Sequence, residues 1–401
     1  MKGLPEILAQ AVALVPETVT FSRDLLQWFA VAKQDPNGAP ALLHSQIYHD
    51  PVLQHQYVAF DGSADPARRL AFSYAVWVLL RAKRFGVEQA LRELEMLRTA
   101  PHFGYHTVIV LRQLTVAGAQ DLGRGVTLLS WDEVPLTGMK EEFTWHRNAL
   151  ATSLNGHAAL VYRYQQRNIP SGTTEYFDEA GRHRADSVPR LFDALAAMTF
   201  ATDVPVVPVA LYTEQDEDIP SEGGWSPFSA SDPNVGATWT SDHTDLTRSL
   251  NLELEYLTPD FRRSVLALSR HLASAVRADR DPAEACSQLG IALETAFLSE
   301  DESSEILYRL STRAARYVGG ADLETRRALR KALKDFYDLR SKAVHRGQLT
   351  ERQMRDNKHA KVIKTAADIV RLAARKAISD RQFPAWSDFD LEQALGPTTN
   401  S

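Results

Sequence analysis

The stretch that decides how the C-terminal part folds lies at residues 334–347, which read Lys-Asp-Phe-Tyr-Asp-Leu-Arg-Ser-Lys-Ala-Val-His-Arg-Gly. Apolar residues recur every three or four positions, which predicts a helix, and Gly347 follows where a helix can end. Arg340 and His345 lie five residues apart near that end. Arginine is a permanent cation whose forked donors suit phosphate, and histidine exchanges a proton near neutral pH. The pair therefore indicates phosphodiester chemistry that needs no metal.

The motif resembles the R-x4-6-H signature of HEPN domains, in the Apea-like branch of that family. Residues 289–298 and 307–313 follow the helix order of such domains, and Arg346 stands where many relatives have glycine. The resemblance implies an all-α bundle over about residues 250–376, in line with the usual size of one domain. It also implies a homodimer with facing motif helices and RNA cleavage to 2′,3′-cyclic phosphate ends without a cofactor. Many relatives are toxins or antiphage (abortive infection) effectors.

The resemblance implies catalytic roles for Arg340 and His345. His345 would move a proton at the ribose 2′-hydroxyl or the 5′-oxygen, while Arg340 stabilises charge on the phosphate. Glu294 matches an acidic position that HEPN domains keep near this pair, although a solvated glutamate at a helix edge is an equal alternative. Asp338 is seven residues before His345 and could orient its imidazole. Ser341 lies inside the motif and is a further supporting candidate.

Helix geometry complicates a site within one chain. Positions five apart point about 140° away from each other on a straight helix. Arg340 is also expected to lie off the apolar stripe of its helix. That stripe is predicted to consist of Leu329, Ala332, Leu333, Phe336, Leu339 and Ala343. Either the helix loosens near Arg346, or two copies of the protein share the site, as the resemblance implies.

The charge distribution favours a confined RNA-contacting surface. The chain carries a net charge of −6, but residues 321–376 hold 16 Lys and Arg against 7 Asp and Glu. Cations close to a nucleic acid neutralise its phosphates. The candidate RNA-binding residues are Lys342, Arg346, Arg352 and Arg355. The alternative is that these charges are the solvated faces of two helices.

Composition predicts a soluble intracellular protein. The 401 residues are 44% hydrophobic, enough for two or three packed domains. The single cysteine, Cys286, cannot form an intrachain disulfide, which fits a reducing, cytoplasmic compartment. The N-terminus does not read as a signal peptide, and the apolar stretch 71–82 is too short for a membrane span.

The predicted fold class is α+β. Residues 1–245 are expected to form a mixed α/β sensor or regulatory domain, residues 246–379 a helical HEPN-like domain, and residues 380–401 a tail. Strands are predicted near 106–116, 126–131, 158–164 and 204–212, and residues 213–243 read as a loop or linker. Residues 1–34 are expected to be helical, because Ile7, Ala11 and Leu14 recur at helical spacing. The N-terminal domain is the expected place for a regulatory ligand or a phage-derived trigger.

Histidines in the N-terminal half raise a third hypothesis, a metal-dependent hydrolase. His44, His49 and His55 lack the spacing of a helical zinc site. His102 and His106 have that spacing, but the neighbouring proline and glycine argue against a helix there. No metal is therefore predicted. The main rival to a ribonuclease is a noncatalytic HEPN module for dimerisation or RNA binding, in which the Arg/His pair serves as a buried ion pair or helix cap.

Overall fold

The fold is a mixed α+β arrangement, seen in a computed structural model of the chain. The structure describes residues 3–19, 22–54, 66–134, 140, 157–167, 174–215, 225–227, 237–276, 282–299, 305–346 and 357–395. Helices precede and follow a small, mainly antiparallel sheet along the chain. The predicted fold class is confirmed at this level, while the specific HEPN bundle stays a prediction. Within the described ranges, no helix has both the length and the apolarity to cross a bilayer.

The chain begins with helices that share one apolar core. Their bounds are α1 (Leu4–Leu14), α2 (Ser22–Ala32), α3 (Ala39–Tyr48), α4 (Pro51–Gln54), α5 (Pro66–Phe85) and α6 (Val87–Thr99). The buried face of α1 is Leu4, Leu8 and Ala11, whereas Leu14 is 57% exposed. His44 lies on α3, and His49 follows its last residue.

The sheet is built around two long central strands that pair with each other. Their bounds are β1 (His102–Leu111), β2 (Leu114–Thr115), β3 (Gln120–Asp121), β4 (Val126–Ser130), β5 (Ala158–Arg167), β6 (Pro208–Gln215), β7 (Trp225–Pro227) and β8 (Ala237–Thr238). Six strands pair in the order β3-β4-β5-β1-β6-β7, and β2 pairs with β8 in parallel. β1 is buried on both faces because its Val-Ile-Val run packs on either side.

One face of the sheet packs against α7 (Thr174–Ala201), whose buried Leu191, Ala194 and Met198 meet Ile109 and Leu160. A charged residue, Asp193, lies within the same buried stretch of α7. Asp193 is fully buried, and its Oδ2 lies 2.6 Å from Nη1 of Arg124, while its Oδ1 accepts from Nε of Arg262 at 2.8 Å. These three residues form the Asp193 cluster.

From Ser241 onwards, the secondary structure of the described residues is helical, as predicted. The bounds are α8 (Ser241–Glu253), α9 (Pro259–Ala275), α10 (Pro282–Phe297), α11 (Ile306–Gly319), α12 (Leu323–Arg346), α13 (Asn357–Asp380) and α14 (Trp386–Leu395). Thr258 caps α9 as its sequence predicts, because its hydroxyl accepts from the amide of Phe261. Cys286 is buried in α10.

The predicted tail contains a docked helix, α14. Trp386 is buried against Phe297 and Tyr317, while Leu391 is exposed. Arg313, at 1% exposure, reaches under α14 and pairs with Asp390 at 2.7 Å. Its Nη1 also donates to the carbonyl oxygen of Phe297 at 2.9 Å. The buried guanidinium is therefore satisfied by an ion pair and a backbone group, which is what such burial requires.

The boundary predicted after residue 245 falls inside α8. The apolar core of the C-terminal helices also continues into α7, where Ala197 and Phe200 belong to it. Arg375 of α13 binds the C-terminal end of α7. It donates to the carbonyl oxygens of Phe200 and Ala201 at 2.6 and 2.9 Å. The division into domains itself stays a prediction.

Candidate functional site

The candidate site lies on α12, which the sequence builds from strong helix formers such as Ala, Leu, Lys and Arg. Asp322 caps it, since its carboxylate accepts from the backbone amides of Glu324 and Thr325 at 3.3 and 3.0 Å. Hydrogen bonds from the side chain and amide of Thr325 lower the pKa of the Asp322 carboxyl. α12 is helical through Arg346, so both motif positions lie on one helix that does not loosen before that residue.

Arg340 points towards the neighbouring helix α10 and packs on Gly290. A Cβ atom built on Gly290 would lie 2.7 Å from Cζ and 2.8 Å from Cδ of Arg340, closer than carbon atoms can approach. The side chain of Arg340 is only 25% exposed. The expectation that Arg340 lies off the apolar stripe was therefore wrong. A glycine on the facing helix leaves the room that an inward arginine needs.

Glu294, one turn after Gly290 on α10, supplies the counter-charge. Its Oε1 lies 2.6 Å from Nη1 of Arg340 and also accepts from the hydroxyl of Tyr337 at 3.3 Å. Cζ of Arg340 lies 5.4 Å from the centre of the Tyr337 ring. Burial, and then the charge of Glu294, raise the pKa of Tyr337 far above its usual value, so its hydroxyl remains a donor. We call these four residues the Arg340 cluster.

The guanidinium in this cluster is fixed but incompletely satisfied. Nε of Arg340 is buried and has no acceptor among the residues that the structure describes. A buried donor without a partner costs about 1–3 kcal/mol. A cation that is held in place by an ion pair and an aromatic ring is also pre-oriented towards an anion that approaches its exposed side. The cluster could thus hold a phosphate oxygen without prior rearrangement.

The spacing of residues along α12 is enough to predict that Arg340 points inward. Leu333, Phe336 and Ala343 are buried, and Arg340 falls among them at the same three-and-four spacing. Gly290 was missed because no pattern within α10 distinguishes it from the other small residues of that helix. Its role depends on a side chain 50 positions further along the chain.

Among the remaining predicted site residues, the structure describes the side chains of three. Asp338, Ser341 and Lys342 are exposed on α12. The backbone of His345 belongs to the last turn of α12, but its side chain and that of Arg346 lie outside the described part of the structure. Arg352 and Arg355 lie wholly outside the described residues.

The histidines that the structure describes in the N-terminal half do not form a metal site. His102 and His106 both lie on β1, where residues four apart are about 13 Å apart. His102 is exposed, while His106 is buried and its ring lies edge-on to Tyr212, with centroids 6.2 Å apart. His55 lies outside the described residues. Over the described ranges, no group of three or more His, Cys, Asp or Glu residues is gathered as a metal site.

Comparison with known proteins adds no relative to this description. No family model, no curated protein and no solved structure matches the chain. The HEPN resemblance accordingly stays a prediction carried by the motif, and the function is argued below from the geometry of α10 and α12.

Proposed function

We propose that the protein is a metal-independent endoribonuclease of HEPN type that acts as a homodimer. His345 takes the proton of a ribose 2′-hydroxyl or gives one to the leaving 5′-oxygen, and Arg340 stabilises the charge on the phosphate. The 2′-oxygen bonds to phosphorus as the bond from phosphorus to the 5′-oxygen breaks. The products are a 2′,3′-cyclic phosphate and a 5′-hydroxyl. The same pair in a second copy supplies the other half of the site.

One observation supports this proposal above the others: an arginine occupies a core-facing position on α12 at a cost. The Nε atom of Arg340 lacks an acceptor among the described residues. The residue that faces Arg340 on α10 must also be a glycine. An apolar residue there would pack without either requirement. Places where a sequence departs from what stability favours are typical of functional sites.

The biology implied is growth arrest through cleavage of cellular RNA in the cytoplasm, as a toxin or antiphage effector. Residues 1–245 are proposed to sense a regulatory ligand or a phage-derived trigger. Expression of the wild-type chain should then slow growth and degrade RNA. The His345→Ala variant, expressed to the same level, should do neither.

The direct test is cleavage of a labelled RNA in EDTA. Loss of the proton-transfer group in His345→Ala should reduce the rate about 10²- to 10⁴-fold. Loss of charge stabilisation in Arg340→Ala should reduce it about 10²- to 10³-fold. Arg327→Ala is the matched control, because Arg327 is an exposed arginine of the same helix that pairs with Glu324. Equal rates in all four proteins would reject the pair as catalytic, and cleavage of DNA would reject the 2′-hydroxyl mechanism.

A second candidate is a noncatalytic helical module for dimerisation or RNA binding. The ion pair between Arg340 and Glu294, with Arg340 three-quarters buried, favours it, because a guanidinium engaged in this way has a structural role already. This candidate predicts that Arg340→Ala lowers stability or dimer affinity and that wild-type RNA stays intact. Sedimentation at several concentrations, run beside the cleavage assay, separates the two.

A further inference from the structure

Exposed cations along the first half of α12 differ in their partners. Arg327 pairs with Glu324 at 2.6 Å, and Lys331 pairs with Asp335 at 3.0 Å. Arg330 and Lys334 are equally exposed on the same helix. Neither has an acidic partner among the residues described by the structure. Their positive charges are thus available to an anionic ligand.

The two unpaired cations continue towards the Arg340 cluster. Residues 330, 334, 337 and 341 follow each other at spacings of four, three and four, which places them on one face of a helix. Positions 330, 334 and 341 are exposed, and Tyr337 is half-buried. From Arg330 to Arg340 the helix rises about 15 Å. We call Arg330 and Lys334 the basic stripe; it ends at the proposed cleavage site.

An aromatic ring stands at the far end of the basic stripe. Tyr308, on the adjoining helix α11, is 57% exposed, and Cζ of Arg330 lies 5.3 Å from the centre of its ring. An exposed tyrosine alone is unremarkable on a protein surface. Here the guanidinium of Arg330 contacts one part of the Tyr308 ring, while much of the ring remains exposed to solvent. An aromatic ring beside unpaired cations is the combination that single-stranded nucleic acids bind, by base stacking and phosphate contacts.

We propose that Tyr308, Arg330 and Lys334 form a track for single-stranded RNA leading to Arg340. One base stacks on the ring of Tyr308, and two phosphates lie against Arg330 and Lys334. This inference rests on the proposed function for its choice of RNA as the ligand. A duplex would keep its bases stacked within the helix and would leave Tyr308 without a contact.

Binding of a fluorescent 2′-O-methyl oligoribonucleotide to the full chain tests the track, because an oligonucleotide without a free 2′-hydroxyl cannot be cut. Tyr308→Ala should weaken binding about 5- to 150-fold, the loss of one stacked base. Tyr308→Phe keeps the ring and should bind like wild type. Arg330→Ala combined with Lys334→Ala should reduce the slope of log affinity against log salt by about 1.4, or 0.7 for each phosphate.

The matched control is Arg327→Ala combined with Lys331→Ala, which removes the same charge from the same helix. Because both residues pair with acids, this control should leave the slope near that of wild type. If the slope fell equally in the two double variants, the track would be overturned, because net charge alone would then explain binding. It would also fall if wild type failed to bind the oligonucleotide, or if an acidic peptide competed equally well.

The outcome separates the track from the ribonuclease proposal. If the oligonucleotide binds with the expected pattern and unmodified RNA stays intact, the track stands and the ribonuclease falls. If RNA is cut in a manner dependent on His345, while the Tyr308 and double variants bind and cut like wild type, the track falls and the ribonuclease stands.

Discussion

Replacement of Gly290 by alanine should couple strongly to Arg340. The added Cβ would lie 2.7 Å from Cζ of Arg340, well inside the usual carbon contact of about 3.5–4.0 Å. The guanidinium must then leave Gly290, which breaks its ion pair with Glu294. With Arg340→Ala already in place, the three atoms nearest to the new methyl group are absent.

The expected magnitudes follow from two opposing terms. Forcing an extra methyl group into a packed contact costs about 1–3 kcal/mol. Replacing glycine by alanine inside a helix gains about 0.8–1.0 kcal/mol. Gly290→Ala should therefore lower the free energy of unfolding by about 0–2 kcal/mol in the wild-type background. In the Arg340→Ala background it should raise that free energy by about 1 kcal/mol.

Urea unfolding of the four proteins of this cycle measures the coupling, with the slope m checked to be constant. Gly181→Ala is the matched control, because Gly181 lies in α7, is exposed, and would meet no atom within 4 Å. It should raise the free energy of unfolding by about 0.5–1 kcal/mol in both backgrounds. If the effects of Gly290→Ala in the two backgrounds agree within about 0.5 kcal/mol, the close packing of Arg340 on Gly290 is refuted.

Other contacts give predictions of the same kind. Asp193→Ala should destabilise the fold by about 3–5 kcal/mol in urea unfolding, because it leaves two arginines without their buried partner. Arg313→Met should make α14 more susceptible to limited proteolysis, since the ion pair beneath that helix is lost. Partial burial alone would raise the pKa of Glu93, but hydrogen bonds from Arg81 and Gln89, together with the charge of Arg81, outweigh burial and lower that pKa. The pair's stabilisation is then present above the unfolded pKa, near 4.3, and is lost as pH falls through the lower folded pKa. Glu93→Gln should remove that acid dependence.

Each of these has a result that would contradict it. An Asp193→Ala protein with the unfolding midpoint of wild type would show that the cluster contributes nothing net. Unchanged proteolysis near Trp386 in Arg313→Met would mean that aromatic packing alone holds α14. Unfolding midpoints of wild type and Glu93→Gln that stay parallel below pH 4 would show that Arg81 does not set the pKa of Glu93.

Much of the helical half could be predicted because its information is local. The Thr258 cap and the three-and-four spacing of apolar residues define α9 and α12 within a few residues of their observed bounds. The assignment of faces was less reliable. α1 has apolar residues on more than one side, and only tertiary packing decides that Leu14 is left exposed.

What could not be predicted depends on residues far apart in the chain. The spacing along α12 places Arg340 inward, but it does not reveal the glycine and the glutamate on another helix that receive it. Asp193 likewise needs two arginines that are each 69 positions away. Charged residues inside a core violate the pattern that identifies cores. A sequence pattern locates such residues on an element but does not reveal which partner makes their burial tolerable.

The anchoring of α7 by Arg375 bears on how the protein can be divided. A polypeptide beginning at residue 246 would lose Phe200 and its neighbours from the apolar core and leave the Arg375 guanidinium without the two carbonyls it binds. Such a truncation should be poorly soluble by itself. Supplying residues 1–245 as a separate polypeptide should rescue it by noncovalent complementation, as expected when two halves of a chain complete a single cooperative folding unit.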